Sequence, residues 1–541
     1  MKACQATPAL KPPPIDQGVQ SSSELLVVFV RTALENKLKG NAGAYNKLVT
    51  SINTQLEGDA YTRWFSALCR CVSVISAERA HQQLLQAILS FHWNTTDQAI
   101  EAYRSLLIDL VCSSGRFLPM CFTGLVQQLR LHVNDGPFTV ASNELAAKIH
   151  DNIHLVLQSI LKLIPTASTA LFPILANCYP HIRFAPSHHC TYTRNMLRLV
   201  EYAPGLRDRI IELLCRKLVL LDNELTDSDF RTNSTKPLIS INCDDLILAD
   251  TIDMTLDIPE VDVADADRPP YNTDPLSLPH LIDQIMEMLL NYFNCLRESP
   301  DVCHTIFLAL LRVFESHMLT SSNCRHAPFL LFYLASFQNS FTEILLRYLL
   351  ERTFDQFQSV HVRVACARYL GAYLTRANFL RHATRMHSFE LLLKFVHAYV
   401  ENYEESRLTE QRSDLESASN DRDGHAVFYA VADTMFQLFC WYQHDFQALM
   451  EESPDLVEFF RFTSIVESPL NPLRHCRDDV VAEFATIVLS LGLGDCYPVI
   501  RRNTMLAHNS IVATSLPFEP ISLIATKTFL TDIFNERRRE P

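Results

Sequence analysis

Glycine is scarce in this sequence. Only 12 of its 541 residues are glycine, about 2% where ordinary proteins carry about 7%. Phosphate-binding loops and nucleophile elbows need glycine, because there the backbone must approach a ligand or bend sharply. No GxxxxGKS/T, GxGxxG, GxSxG or HExxH pattern occurs, and the one GxG, Gly492-Leu493-Gly494, falls late in a helical region. Enzymes built on those loops are poor candidates, and so are β-sandwiches, with their many tight turns. Long apolar runs are also missing. Stretches such as Leu25–Val30 fall far short of the roughly 20 residues that a membrane span needs. The N-terminal residues MKACQATPALKPPPIDQG have no apolar core, so no signal peptide is expected. Positive charge is in deficit, with 47 basic against 61 acidic residues and a net charge of −14. A protein gripping duplex DNA by its backbone is more often basic, so no direct sequence-specific DNA binding is expected. The 16 cysteines form no CxxC pair. They read as reduced core residues of a soluble intracellular protein.

Apolar residues are plentiful, at 48% of the chain. They recur at helical spacing. Ile100, Tyr103, Leu106, Leu107, Leu110 and Val111 form one buried stripe, and Leu281, Ile285, Met288, Leu289, Tyr292, Phe293 and Leu296 form another. Thr95 or Thr96 is placed to cap the first of these helices. Pro119, Pro165, Pro204 and Pro300 fall between periodic stretches. Helix pairs recur every 40 residues or so, as in 95–132, 141–179 and 188–222, which is the spacing of HEAT or armadillo repeats. The expected fold is therefore all-α: a HEAT-like α-solenoid of stacked helix pairs in two lobes. A compact helical domain is the plainer alternative.

The expected layout has a flexible tail over 1–22, an N-terminal lobe over 23–222 and a C-terminal lobe over 277–500, then an extension over 501–541. Between the lobes, 223–276 reads as a long acidic insertion, disordered or loosely packed. Residues 222–267 hold 13 acidic and two basic side chains, a net of −11. A second polar stretch, Glu401–Gly424, is expected to loop out.

Metal-like residues gather once, as Cys178, His181, His188, His189 and Cys190. Zinc needs four converging N or S ligands, but Pro180 and Pro186 suit an ordinary inter-helix loop, so no metal is assigned. Cys69 and Cys71 point to different sides of a helix and read as packing. Phe428, Tyr429, Phe436, Phe439 and Trp441 offer a ligand groove or, more simply, core. No catalytic residue and no cofactor is assigned.

Several strings, in order, resemble the RNA polymerase I-specific transcription initiation factor IA family. They are Phe91-His92-Trp93; Leu110-Val111-Cys112-Ser113-Ser114 with Phe117-Leu118-Pro119; and Asn195-Met196-Leu197-Arg198-Leu199-Val200-Glu201-Tyr202-Ala203-Pro204. They continue with Phe332-Tyr333-Leu334-Ala335-Ser336-Phe337, Arg368 to Phe379, Ser468-Pro469-Leu470-Asn471-Pro472-Leu473 and Leu516-Pro517-Phe518-Glu519-Pro520. The match covers roughly residues 85–530; the first 80 residues share only helical character. A longer C-terminal tail of the family is expected to be shortened or missing here.

The resemblance implies a HEAT-repeat protein without enzymatic activity, located in the nucleus and nucleolus. Its partners would be RNA polymerase I, met near the stalk, and the core-promoter initiation factor on ribosomal DNA. It also leaves room for a homodimer in the free form. It implies control by phosphorylation, with Ser113 and Ser114 at the family's polymerase-facing serine pair. Ser468, before Pro469, is a weaker phosphosite candidate in an expected loop. Without the resemblance, the sequence supports only an α-solenoid scaffold or a nuclear transport receptor.

Overall fold

Each proline that punctuates the periodicity begins or separates a helix, where its fixed φ and missing N–H cost nothing. The structure is a computed structural model. It describes residues 19–54, 59–77, 81–130, 140–182, 184–225, 278–321, 323–410, 424–452, 459–505, 517–518 and 523–536. These residues fall into two units, one running to Leu213, the other taking 214–225 and everything from 278 on.

In the first unit the helices are α1 (Val19–Leu38), α2 (Gly43–Asn53), α3 (Asp59–Cys69), α4 (Val72–Ala77), α5 (Gln82–Leu89) and α6 (Asp97–Ser113). They are followed by α7 (Leu118–Gln128), α8 (Val140–Leu163), α9 (Ala167–Asn177), α10 (Pro186–Tyr202) and the start of α11 (Arg207–Asn223). Helices α3, α6, α8 and α10 pack in succession as one row, and α2, α5, α7 and α9 as the other. Two parallel rows joined by short turns are the stacking of a HEAT-like solenoid. The pairs α6–α7, α8–α9 and α10–α11 match the three expected from periodicity.

The second unit repeats the plan with α12 (Leu278–Cys295), α13 (Pro300–Val313), α14 (Pro328–Ala335), α15 (Asn339–Phe354), α16 (Val360–Arg376) and α17 (His382–Glu410). Then come α18 (Ala426–Trp441), α19 (Gln443–Glu452), α20 (Phe462–Val466), α21 (Asp478–Ser490), α22 (Tyr497–Met505) and α23 (Ile524–Leu530). Packing runs α12–α14 and α16–α18–α21 in one row, with the Phe332 and Tyr373 rings, 5.6 Å apart, joining α14 to α16. In the other row α13 meets α15 and α17 meets α20; Phe354 stacks on Phe395 at 4.9 Å to join α15 to α17. Among the described residues there is no strand, only a bridge between Ala377 and Phe534.

Several local expectations shift. Helix α1 begins at Val19, inside the expected tail, while residues 1–18 lie outside the described residues. Thr96 holds the N-cap position of α6, but its hydroxyl makes no capping bond. The α12 stripe is rotated: Ile282, Asp283, Met286 and Leu290 are buried with Leu281, Ile285, Leu289 and Phe293, while Met288, Tyr292 and Leu296 are half-buried. Cys69 ends α3 and Cys71 lies beyond it, so the two do not share a helix. Helix α17 continues to Glu410 through the start of the stretch expected to loop out; residues 411–423 lie outside the described residues. Of the acidic insertion only 223–225 are described. Gly492 and Gly494 have positive φ, 69° and 149°, in the turn between α21 and α22 rather than in a helix.

Candidate functional site

Helix α6 ends on the serine pair. Ser113 is exposed and donates its hydroxyl at 2.7 Å to the Leu110 carbonyl, which also accepts the Ser114 backbone N–H at 3.2 Å. Ser114 turns to an extended conformation (φ −158°) and is half-buried. Gly115–Phe117 then make one 3-10 turn into α7. Beside the pair stands Arg116, whose guanidinium donates to the carbonyls of Ser76 (2.7 Å) and Ile75 (3.3 Å) at the end of α4 and lies 4.8 Å from the Phe117 ring. The turn is thus fixed to a neighbouring helix by a cation. A phosphate on Ser113 would lose the bond to Leu110 and sit against the negative end of the α6 dipole, with Arg116 as the nearest cation in sequence. The serines were named through the family resemblance; the place of Arg116 beside them carries no local sequence signal, because its acceptors lie 40 and 41 residues away.

Ser468 stands elsewhere and is no surface residue. It is 4% exposed and donates to the Ile465 carbonyl at 2.7 Å, just past α20. The expectation of a loop phosphosite is therefore corrected: a kinase reaches this hydroxyl only if the turn unfolds. The Leu470-Asn471-Pro472-Leu473 turn beside it closes a repeat. Leu470 and Leu473 are buried, and Asn471 (φ 45°) exchanges side-chain hydrogen bonds with Asn503 of α22 at 2.6 and 3.1 Å.

The Cys178–Cys190 residues serve packing. His188 donates a ring N–H to the Arg130 carbonyl at 2.8 Å, and His189 donates to the His181 carbonyl at 3.1 Å. Burial pushes the Cys178 thiol up. Among the described residues no three His, Cys, Asp or Glu side chains come together to hold a metal ion. Of the C-terminal aromatics, Phe428, Phe436 and Phe439 are core while Tyr429 and Trp441 are half-buried: Phe439 sits within 6 Å of Phe446, Phe460, Phe462 and Phe484, and Phe436 lies 4.2 Å from Phe484. Phe91 and Trp93 likewise enclose Tyr103 at 4.3 and 5.3 Å.

The Asn195–Pro204 string builds a buried polar node. Asn195 and Tyr202, two turns apart on α10, both reach His154 of α8, at 3.2 Å from Nε2 and 2.7 Å from Nδ1. Asn195 also donates to the Leu129 carbonyl at 2.9 Å, tying in the end of α7. Burial lowers the His154 pKa to about 4, against the opposing effect of the hydrogen bond it donates to the Asn195 amide oxygen. The ring is therefore neutral at pH 7.

Comparison with known proteins gives these features a family. The model of the RNA polymerase I specific transcription initiation factor RRN3 family matches residues 19–539. The fission yeast (Schizosaccharomyces pombe) RNA polymerase I-specific transcription initiation factor rrn3 is 24% identical, covering 96% of this chain and 87% of its own. The mouse (Mus musculus) factor RRN3 is 25% identical over 94% of this chain and 81% of its own. The crystal structure of RNA polymerase I transcription initiation factor Rrn3 shares the fold, with a TM-score of 0.68 at 18% identity over 95% of this chain and 98% of that one. With two HEAT-like units, both inside the matched span, the chain belongs to the RNA polymerase I-specific transcription initiation factor RRN3 family.

Proposed function

We propose that this chain is a transcription initiation factor for RNA polymerase I that acts by binding and carries out no catalytic step. The observation that carries the reading is the family match from residue 19 to 539, which takes in both units. In this reading one lobe docks the polymerase near its stalk and another surface engages the core-promoter factor on ribosomal DNA. Holding both raises their effective concentration for each other. The work is done in the nucleus, at the nucleolus, and a homodimer is the resting form. Ser113 and Ser114 form the regulatory patch: each phosphate adds about −1.5 to −2 charges to a face that must meet the polymerase. The exposure of Ser113 and the turn held by Arg116 support that role.

Affinity purification of the tagged full chain from nuclear extract, followed by mass spectrometry, tests the function. Recovery of RNA polymerase I subunits, those of the stalk among them, is the expected result. Recovery of import cargo or a small GTPase without polymerase would favour a transport receptor and overturn it.

A further inference from the structure

Helix α12 carries a carboxylate, Asp283, within its apolar face and only 7% exposed. A buried carboxylate is costly unless donors surround it. This one accepts three hydrogen bonds, from the backbone N–H groups of Ala525 (2.9 Å) and Thr526 (2.8 Å) and from the Thr526 hydroxyl (2.7 Å). Those N–H groups open α23, so a residue more than 240 positions earlier caps the last described helix.

The far end of the same segment is pinned to the end of α16. Asn378 donates its backbone N–H to the Ile533 carbonyl at 3.2 Å, and Asn535 donates to the Arg376 carbonyl at 2.7 Å. The Asn378 side chain donates to the Asp532 carbonyl at 2.6 Å, and Ala377 and Phe534 face each other in an antiparallel bridge. Aromatic contacts fill the middle. Phe534 lies 5.6 and 5.9 Å from Phe329 and Phe332 of α14. Phe518, in the left-handed region at φ 53°, lies 5.2 and 5.1 Å from the same two rings and 5.7 Å from Tyr369 of α16. The segment thus crosses α12, α14 and α16, with one polar clamp at the start of α23, the other at 532–535, and the Phe518 and Phe534 rings against α14. This is the plan of a bound peptide on a helical-repeat surface rather than of another repeat.

We propose that Phe518 and residues 523–536 form a latch that leaves α12, α14 and α16 as a unit. The surface it covers, made by Phe329, Phe332, Tyr369 and Tyr373, is a docking groove for a protein segment carrying paired phenylalanine anchors. In this chain the groove is filled in cis.

The test uses the full chain with Phe518→Ala and Phe534→Ala, which leaves the groove and Asp283 intact; Thr526→Val is the milder variant. Hydrogen exchange is expected to rise about tenfold or more in 523–536, with the amides of α18 and α21 unchanged. A labelled synthetic peptide of residues 515–536 should then bind the double variant about tenfold tighter than wild type, because the cis copy no longer competes. Exchange that rises evenly through the second unit, or in neither variant, overturns the latch. Release with no gain in peptide binding overturns the groove.

Discussion

Asp222, the penultimate residue of α11, and His326, two residues before α14, form a fully enclosed pair. The Asp222 carboxylate accepts the His326 ring N–H at 2.8 Å and the backbone N–H groups of His326 and Ala327 at 2.7 and 2.9 Å, and it is 0% exposed. It serves as a remote cap for α14, satisfying N–H groups at a helix N-terminus where negative charge is favoured. Removing it strands several buried donors at once. Asp222→Ala is expected to cost about 3–5 kcal/mol, read as a lower urea midpoint for the second unit. His326→Ala, which leaves the two backbone donors in place, should cost clearly less.

The His154 node makes the first unit acid-sensitive. Its folded pKa, about 4, lies below the ordinary value of 6.5, so between those values the unfolded chain binds a proton that the folded chain refuses. The stability this represents is complete above pH 6.5 and is lost as pH falls from there toward 4. At pH 5 the loss amounts to about 2 kcal/mol. Urea unfolding at pH 7, 6 and 5 should show it, and His154→Gln should flatten that part of the profile. A wild-type profile as flat as that of the variant would refute the assignment.

Gly371 of α16 faces Thr434 of α18 closely enough that a Cβ would lie 2.9 Å from the threonine methyl and 3.1 Å from its hydroxyl. Thr434 is buried, and its hydroxyl donates to the Ala367 carbonyl at 3.0 Å, so it cannot turn away cheaply. Alanine is the better helix former by about 1 kcal/mol, but overpacking costs about 1–3 kcal/mol. Gly371→Ala should therefore destabilise the wild type and stabilise a Thr434→Ala background. The double-mutant cycle measures that change of sign.

Patterns within one helix were legible in the sequence; contacts between distant positions were not. The α6 stripe was read almost residue for residue, since Tyr103, Leu106, Leu107, Leu110 and Val111 are buried as expected. Spacing alone also found the pairs α6–α7, α8–α9 and α10–α11. Asp222 and Asp283 gave no such signal. Asp222 reads as the first acid of the acidic stretch and Asp283 as one acid in an apolar helix, and their donors lie more than a hundred and more than two hundred positions away. At Ser468 the local pattern misled, because a serine before proline looks the same whether its turn faces water or packs against a neighbouring helix. Ser113 was named through the family resemblance, and its exposure fits its place at the end of an amphipathic helix.

That difference between the serines gives the sharpest test of the regulatory patch. A charge at Ser113 meets water and one at Ser114 sits in a half-buried turn at the surface, whereas a charge at Ser468 must enter a site 4% exposed and lose the bond to Ile465. Ser113→Asp with Ser114→Asp should leave the melting temperature within about 2 °C of wild type, as surface changes usually do, and weaken polymerase binding about tenfold. Ser468→Asp should instead lower the melting temperature by several degrees, because an unpaired buried charge costs about 2 kcal/mol or more. Its effect on binding should only follow the fraction folded. Thermal unfolding and polymerase pull-down on the same two variants separate the cases. Tight binding by a well-folded Ser113→Asp, Ser114→Asp chain would remove the serine pair from the polymerase interface. A weakened one would direct the next substitution to Arg116, where Arg116→Ala frees the turn from α4 without adding charge.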